Sequence, residues 1–384
     1  MTGFDRDDQV PEPGFTMLFG NQAAKETIPY FIGEEQSVLM ALSVRLLLRS
    51  LPRMFVALVE KDPPNIDFII LGTFRAAIST AVGCKYPNFL SNRDAASEEV
   101  LQMKLHQLDS VVHMANCCAQ FFGTNSERRR AELVAGSIDA SLLAFPENEV
   151  INQVLADLED HEQGTTDEQA FYSPLFSVYD PPDSHKSAMW YFDQVPNSGP
   201  WVFWRSWYQG YFDGQPLDWE LQKQIALIDN SIWNAGPNAI ADEIRRVRAR
   251  LKVESSLAEL KVHLEAKRLA RHGIGGNNPP ESIQDKPLSG AITLIWEAKE
   301  ELSTALKQEN PAREWIQAIL VKFKSGLIDL LKWCTRKVNL AVGTAIIVGT
   351  TKGTTVVVDA YIAKHPEKIE ALIETLEEWL PFLS

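Results

Sequence analysis

His106, His113 and Cys117 stand at i, i+7 and i+11 of a helical pattern, so the three share one face. Imidazole and thiolate groups are zinc-type ligands, but a closed site needs a further donor. Neither HExxH nor CxxC occurs to supply one. These residues are therefore expected to pack within a helix, and neither a metal nor a cofactor is expected. Gly20-Asn21-Gln22-Ala23-Ala24-Lys25-Glu26-Thr27 has the outline of a phosphate-binding loop. It lacks the second glycine that would let the backbone wrap a phosphate, and no apolar strand leads into it. A G-x-S-x-G nucleophile elbow is absent too. Glu159, Asp160 and Glu162 are adjacent carboxylates. Exposed acids keep ordinary pKa values and do little acid–base work.

Aromatic residues form the richest cluster. Trp201, Trp204, Tyr208 and Tyr211 fall on one helical stripe, with Trp207 expected off to the side. Such a stripe could stack a base or hold a cation, and it is the candidate interaction surface. The competing reading is core or interdomain packing, since Trp buries a large area. Packing outweighs recognition on that ground, and a net charge of −14 further disfavours nucleic acid as a partner.

A basic block, Arg245, Arg246, Arg248, Arg250 and Lys252, continues to Lys261, Lys267, Arg268 and Arg271. Glu243, Glu254, Glu259 and Glu265 interleave at helix-pairing distances, so a salt-bridged exposed helix is expected. Docking to the acidic 147–168 stretch or to a partner is the functional alternative.

The elements that carry these residues are helical throughout, and the expected fold is mainly α. Residues 1–30 hold Pro11, Pro13, Gly14 and Gly20 and read as an extended arm. Helical periodicity follows over 32–58, 67–82, 97–122 and 126–144, with an acidic candidate at 147–168. Asp62-Pro63-Pro64-Asn65 breaks the first from the second, because proline removes a donor and Asn65 can cap. Arg128, Arg129 and Arg130 oppose the dipole at their helix start, which suggests an acidic partner. The Trp-rich segment 171–219 is interrupted by proline and glycine, with one clear helix at 200–212. A short helix at 217–229 and a long one at 238–271 complete a domain drawn at 31–272. Gly273 to Pro280 can end a helix and forbid its resumption, so 273–287 is the expected linker.

Beyond it, 288–384 is a C-terminal helical module with helices near 288–308, 311–335, 338–363 and 366–380. Ala341, Ala345, Gly349 and Gly353 recur every four residues and form a small-residue packing ridge. Residues 338–358 are near the roughly 20 needed to span a bilayer. Lys352 inside that stretch costs roughly 2.5–3.5 kcal/mol near a bilayer centre. The helix before the ridge carries Arg313, Lys322, Lys324, Lys332, Arg336 and Lys337, whereas Glu367, Glu370, Glu374, Glu377 and Glu378 line the one after it. Opposite charges flanking a small-residue helix favour a compact bundle or a self-association contact over a membrane span. Membrane association through 338–358 is the alternative.

The chain holds four cysteines, Cys84, Cys117, Cys118 and Cys334, in neither a disulfide nor a zinc pattern. The start, Met1 to Pro11, is polar and acid-rich, unlike a secretory leader. A cytoplasmic, reducing location is expected, with membrane association as the variant.

Two segments carry a resemblance. One is Trp201-x-x-Trp204-x-x-Trp207-Tyr208, then Gly214, Ile228 to Trp233 and Gly236-Pro237. The other is Arg271-His272-Gly273-Ile274-Gly275-Gly276-Asn277-Asn278-Pro279-Pro280-Glu281. Together they resemble uncharacterised Trp-rich helical proteins of rhizobia and related alphaproteobacteria, which carry a Gly-Asn-Asn-Pro-Pro-Glu linker. The resemblance is firm over 190–285. It implies a bacterial, cytoplasm-facing protein with a break near Gly273, and it brings no catalytic residues. The expected function is non-enzymatic protein interaction or regulation, with a protein partner or self-association. A membrane-active effector and an enzyme without a recognisable motif are the alternatives.

Overall fold

Every regular element among the described residues is helical, so the chain is mainly α. The computed structural model describes residues 26, 28, 29, 31, 32, 34–61, 66–86, 117, 118, 127–142, 152–158, 169–176, 199–269, 286–341 and 365–383. The expected extended arm 1–30 therefore lies almost wholly outside the described residues. Most of the expected helix 97–122 and of the linker 273–287 does too. Two compact units divide between Glu243 and Ile244.

The first unit begins with α1 (Gln36–Lys61) and α2 (Ile66–Lys85). Pro52 lies inside α1 and removes one helical donor. The helix continues through it, and both turns before the proline are buried. From Ile69 to Cys84 every residue of α2 is buried. Two of its hydroxyls are satisfied locally: those of Thr73 and Thr80 donate to the carbonyls of Ile69 and Ala76, four residues back, at 2.9 and 2.8 Å. α3 (Glu127–Leu142) packs on α1. Arg128 and Arg129 pair with Glu132 of the same helix, at 3.3 and 3.4 Å, and Arg130 donates to Gln36 of α1 at 3.1 Å. Residues 152–158 are helical and Gln169–Tyr172 form a 3-10 turn.

α4 (Val202–Phe212) occupies the expected 200–212 region. Gly214, with φ 67°, ends the chain's run beyond it. A β-carbon there would stand 2.7 Å from the Tyr172 carbonyl oxygen, so conformation and space both demand glycine. The expected 217–229 helix is two elements, α5 (Trp219–Ala226) and α6 (Asn230–Asn234). Aspartate caps explain the split. Asp218 accepts from the Leu221 amide at 2.9 Å, and Asp229 accepts from the Ser231 amide at 2.8 Å. Gly236, with φ 96°, then leads into Pro237, the first residue of α7 (Pro237–Leu269).

The second unit takes most of α7 together with α8 (Lys286–Ala305), α9 (Arg313–Ala341), α10 (Pro366–Trp379) and a 3-10 turn at Leu380–Phe382. Its core joins Val253, Leu257 and Leu260 of α7 to Ile292, Ile295 and Leu302 of α8. Ile316, Ile319 and Phe323 of α9 and Leu372, Leu376 and Trp379 of α10 complete it. The division of the chain thus falls inside α7, ahead of the glycine–proline run, because α7 commits its apolar stripe from Ala249 onward to this core. Gly326 marks the close approach of α8 and α9. A β-carbon there would lie 2.7 Å from Ile295 Cγ1 and 3.1 Å from the Ala291 carbonyl oxygen.

The basic block on α7 is built into this unit. Arg250 pairs with Glu254 at 3.0 Å, as expected for a salt-bridged helix. It also donates to the carbonyls of Leu306 and Glu309 at 2.8 and 2.6 Å, which caps the end of α8. Lys252–Glu378 and Lys368–Glu259 link α7 to α10, at 2.7 and 2.8 Å.

Candidate functional site

The aromatic stripe is the first place to look, and it is inside the protein. Trp201, Trp204, Tyr208 and Tyr211 are at most 9% exposed. As an interaction surface the stripe is therefore corrected: no partner ring reaches these side chains unless the first unit opens. Trp207, expected off to the side, is fully buried among them. Positions 204, 207, 208 and 211 have the i, i+3, i+4, i+7 spacing of one apolar face, so the signal was present in the sequence.

The cluster has a definite order. Phe74 of α2 stacks on Trp204 with centroids 4.8 Å apart and meets Trp207 edge-on at 5.9 Å. Trp207 in turn contacts Tyr211 at 5.0 Å, and Phe171 meets Tyr211 edge-on at 5.6 Å. Trp204 approaches Trp233 of α6 at 6.0 Å. The Arg75 guanidinium lies 5.0 Å over the Trp233 ring and also donates to Asn230. Such edge and offset geometries are the favourable ones for aromatic quadrupoles.

Gln222 of α5 is the polar centre of this core. Its Oε1 accepts from Trp207 Nε1 and from the Tyr211 hydroxyl, both at 2.8 Å. Its Nε2 donates to the Leu217 carbonyl at 2.7 Å. One amide thus satisfies two buried donors and fixes α5 against α4. Burial pushes the phenols of Tyr208 and Tyr211 well above their ordinary pKa, so both stay neutral. Gln222, Phe74 and Arg75 are not legible in the sequence, because nothing local sets them apart from their neighbours.

A second polar cluster holds α1 to the segments on either side of the 3-10 turn. Arg49 donates through both terminal nitrogens to Asp157, at 2.6 and 2.9 Å, and through Nε to the Leu175 carbonyl at 2.7 Å. Arg45 donates to the carbonyls of Ser173 and Pro174, both at 3.0 Å, and its Nε lies 3.2 Å from Asp157. All three side chains are buried. Burial raises the Asp157 pKa, but the charges and hydrogen bonds of Arg49 and Arg45 outweigh it and hold the carboxyl below its ordinary value. The arrangement is a clamp: every contact is structural, and it presents no free nucleophile or acid.

Cys117 is buried and its thiol is pushed up to about 12, chiefly by burial, so it stays protonated at neutral pH. His106 and His113 lie outside the described residues. Among the described residues no three His, Cys, Asp or Glu side chains come together as a metal requires. Glu159, Asp160 and Glu162 and nearly all of Gly20–Thr27 are outside the described residues too. Ala341 ends α9, while Ala345, Gly349 and Gly353 of the ridge fall beyond the described part. Among the described residues, α2 is the one helix long and apolar enough to cross a membrane, and 78% of its apolar window is buried within the protein.

What the second unit does present is a stripe on α9. Val321, Ile328 and Leu331 are 56%, 51% and 38% exposed. Among the described residues, these are the exposed large apolar side chains of that unit. Charged residues border them: Lys324 pairs with Glu377 at 2.5 Å and Lys332 with Asp329 at 3.3 Å. Comparison with protein-family models, with curated proteins and with solved structures finds no match for this chain.

Proposed function

We propose that the chain is a non-catalytic protein-interaction or regulatory protein that meets its partner through α9. The exposed apolar stripe Val321, Ile328 and Leu331 carries this reading. An apolar centre with a rim of mixed charge is the composition of a protein interface. The aromatic cluster and the arginine clamp support it from the other side. The polar groups of Gln222, Arg49 and Asp157 are used in holding segments of the first unit together.

A photocrosslinking residue placed at Ile328 of the full chain tests the proposal. Discrete protein adducts are expected there, and none from the same residue placed at exposed Ser255 of α7. Absence of any protein adduct at Ile328 overturns the proposal.

Membrane association is the second reading. α9 carries six basic residues against Glu314 and Asp329, in a chain of net charge −14, and an apolar sequence follows it. Lipid adducts alone at Ile328 would select this reading.

A further inference from the structure

We infer that the partner of the α9 stripe is a second copy of this chain, docked antiparallel about a two-fold axis at Ser325. The inference rests on the interaction reading of α9 and names its occupant. Glu314, Ala318, Val321, Ser325, Ile328, Lys332 and Arg336 fall within about 80° of arc at 100° per residue. All seven are exposed. They form one continuous face about 33 Å long at 1.5 Å per residue.

The order of residues along that face is self-complementary. Glu314 and Arg336 are each eleven residues from Ser325, on opposite sides. Neither makes an ion pair among the described residues. A two-fold axis at Ser325 sets Glu314 of each copy opposite Arg336 of the other, once at each end. Between these ends, Val321 comes opposite Ile328 of the second copy, since they lie four residues before and three after the axis. Ala318 comes opposite Lys332, whose aliphatic stem can cover the methyl while its head stays in water. At the crossing point stands Ser325, small enough for the two backbones to approach closely. An isologous contact requires this symmetry, in which residue i meets residue j and j meets i.

Charge also argues against a lipid surface at this face. An anionic membrane favours bases along the whole stripe. Here an acid, Glu314, lies in line with the apolar residues, and the exposed acids Glu370, Glu374 and Glu377 stand on α10, which packs against α9. A single helix pair lies at the small end of interfaces, whose standard size is roughly 800 Å² per partner. Association is therefore expected to be weak and concentration-dependent.

Sedimentation equilibrium of the full chain tests the inference, with E314R, R336E, the double reversal E314R/R336E, and V321S/I328S as variants. All of these positions are exposed, and circular dichroism checks that the fold is kept. The parent chain should dimerise. Each single reversal sets like charges together at both ends and should weaken the dimer about tenfold. The double reversal should return most of the affinity, and V321S/I328S should leave a monomer. S325C should crosslink to itself across the axis with a short bismaleimide.

A dimer indifferent to every variant overturns the inference, because it uses another surface. So does a chain that stays monomeric. If that monomer still gives protein adducts at Ile328, the interaction reading stands and only the second copy falls. If it gives none, both fall. A monomer that floats with phosphatidylglycerol vesicles, and loses this in V321S/I328S, assigns the face to lipid and overturns both.

Discussion

Gln222 accepts two hydrogen bonds from groups that have no water to turn to. Replacing it with leucine leaves the Trp207 N–H and the Tyr211 hydroxyl buried and unpaired, at about 1–3 kcal/mol each. Gln222→Leu is therefore expected to destabilise the first unit by about 2–6 kcal/mol, read by urea unfolding. Tyr211→Phe removes one donor and leaves Oε1 still bonded to Trp207, so about 1 kcal/mol is expected. Asp157 makes the opposite kind of demand, since it is charged and held by two arginines. Its folded pKa lies below the unfolded value of about 3.9. Stability from this group is thus present above about pH 4 and is lost as pH falls through the folded pKa. Asp157→Asn should flatten that acid limb in a pH series of unfolding midpoints. At neutral pH it should cost about 3–5 kcal/mol, because two buried guanidinium groups lose their counter-charge.

The contact of α8 with α9 depends on a side chain that is missing. Gly326 lets α9 lie against α8, with Ile295 and the Ala291 carbonyl already within contact of an absent β-carbon. Gly326→Ala would force the two helices apart or push Ile295 off its rotamer. A cost of about 1–3 kcal/mol to the second unit is expected from such overpacking. Hydrogen exchange of α8 and α9 amides would show it as faster opening, and unchanged exchange would refute the close approach. Capping works at the same scale. Asp218 and Asp229 start α5 and α6 separately, and this places Gln222 and Trp233 on the two sides of the aromatic cluster.

The chain as a whole divides inside α7, which carries residues of both units along one continuous helix. A fragment ending at residue 272 looks natural from the glycine–proline run. It would nevertheless keep Ala249, Val253, Leu257 and Leu260 while losing the α8, α9 and α10 side chains that cover them. Fragment 1–272 is expected to self-associate or precipitate, seen by size-exclusion chromatography, because four core residues become an exposed stripe. A well-behaved monomeric fragment would show that α7 needs no cover from the C-terminal helices.

Period and punctuation specified most of the described helices, but not the split between α5 and α6, and the break expected near 336–337 falls inside continuous α9. Leucines at 3.6-residue spacing, prolines at helix starts and glycines at positive φ act within a few residues of themselves, so α1, α2, α4, α8, α9 and α10 were legible locally. The opposite charges of α9 and α10 were legible in the same way, and Lys324–Glu377 joins the two helices; most of the small-residue helix expected between them lies outside the described residues. Packing decided the rest. Whether Trp204 and Tyr211 face a partner or a core depends on Phe74 and Gln222, which approach from other helices. Where the chain divides depends on which core claims Val253 and Leu257, and both halves of α7 read alike as helix. Three apolar residues of α9 stand in solvent because α8 and α10 cover its other sides, and only tertiary contacts distribute cover among equally apolar faces.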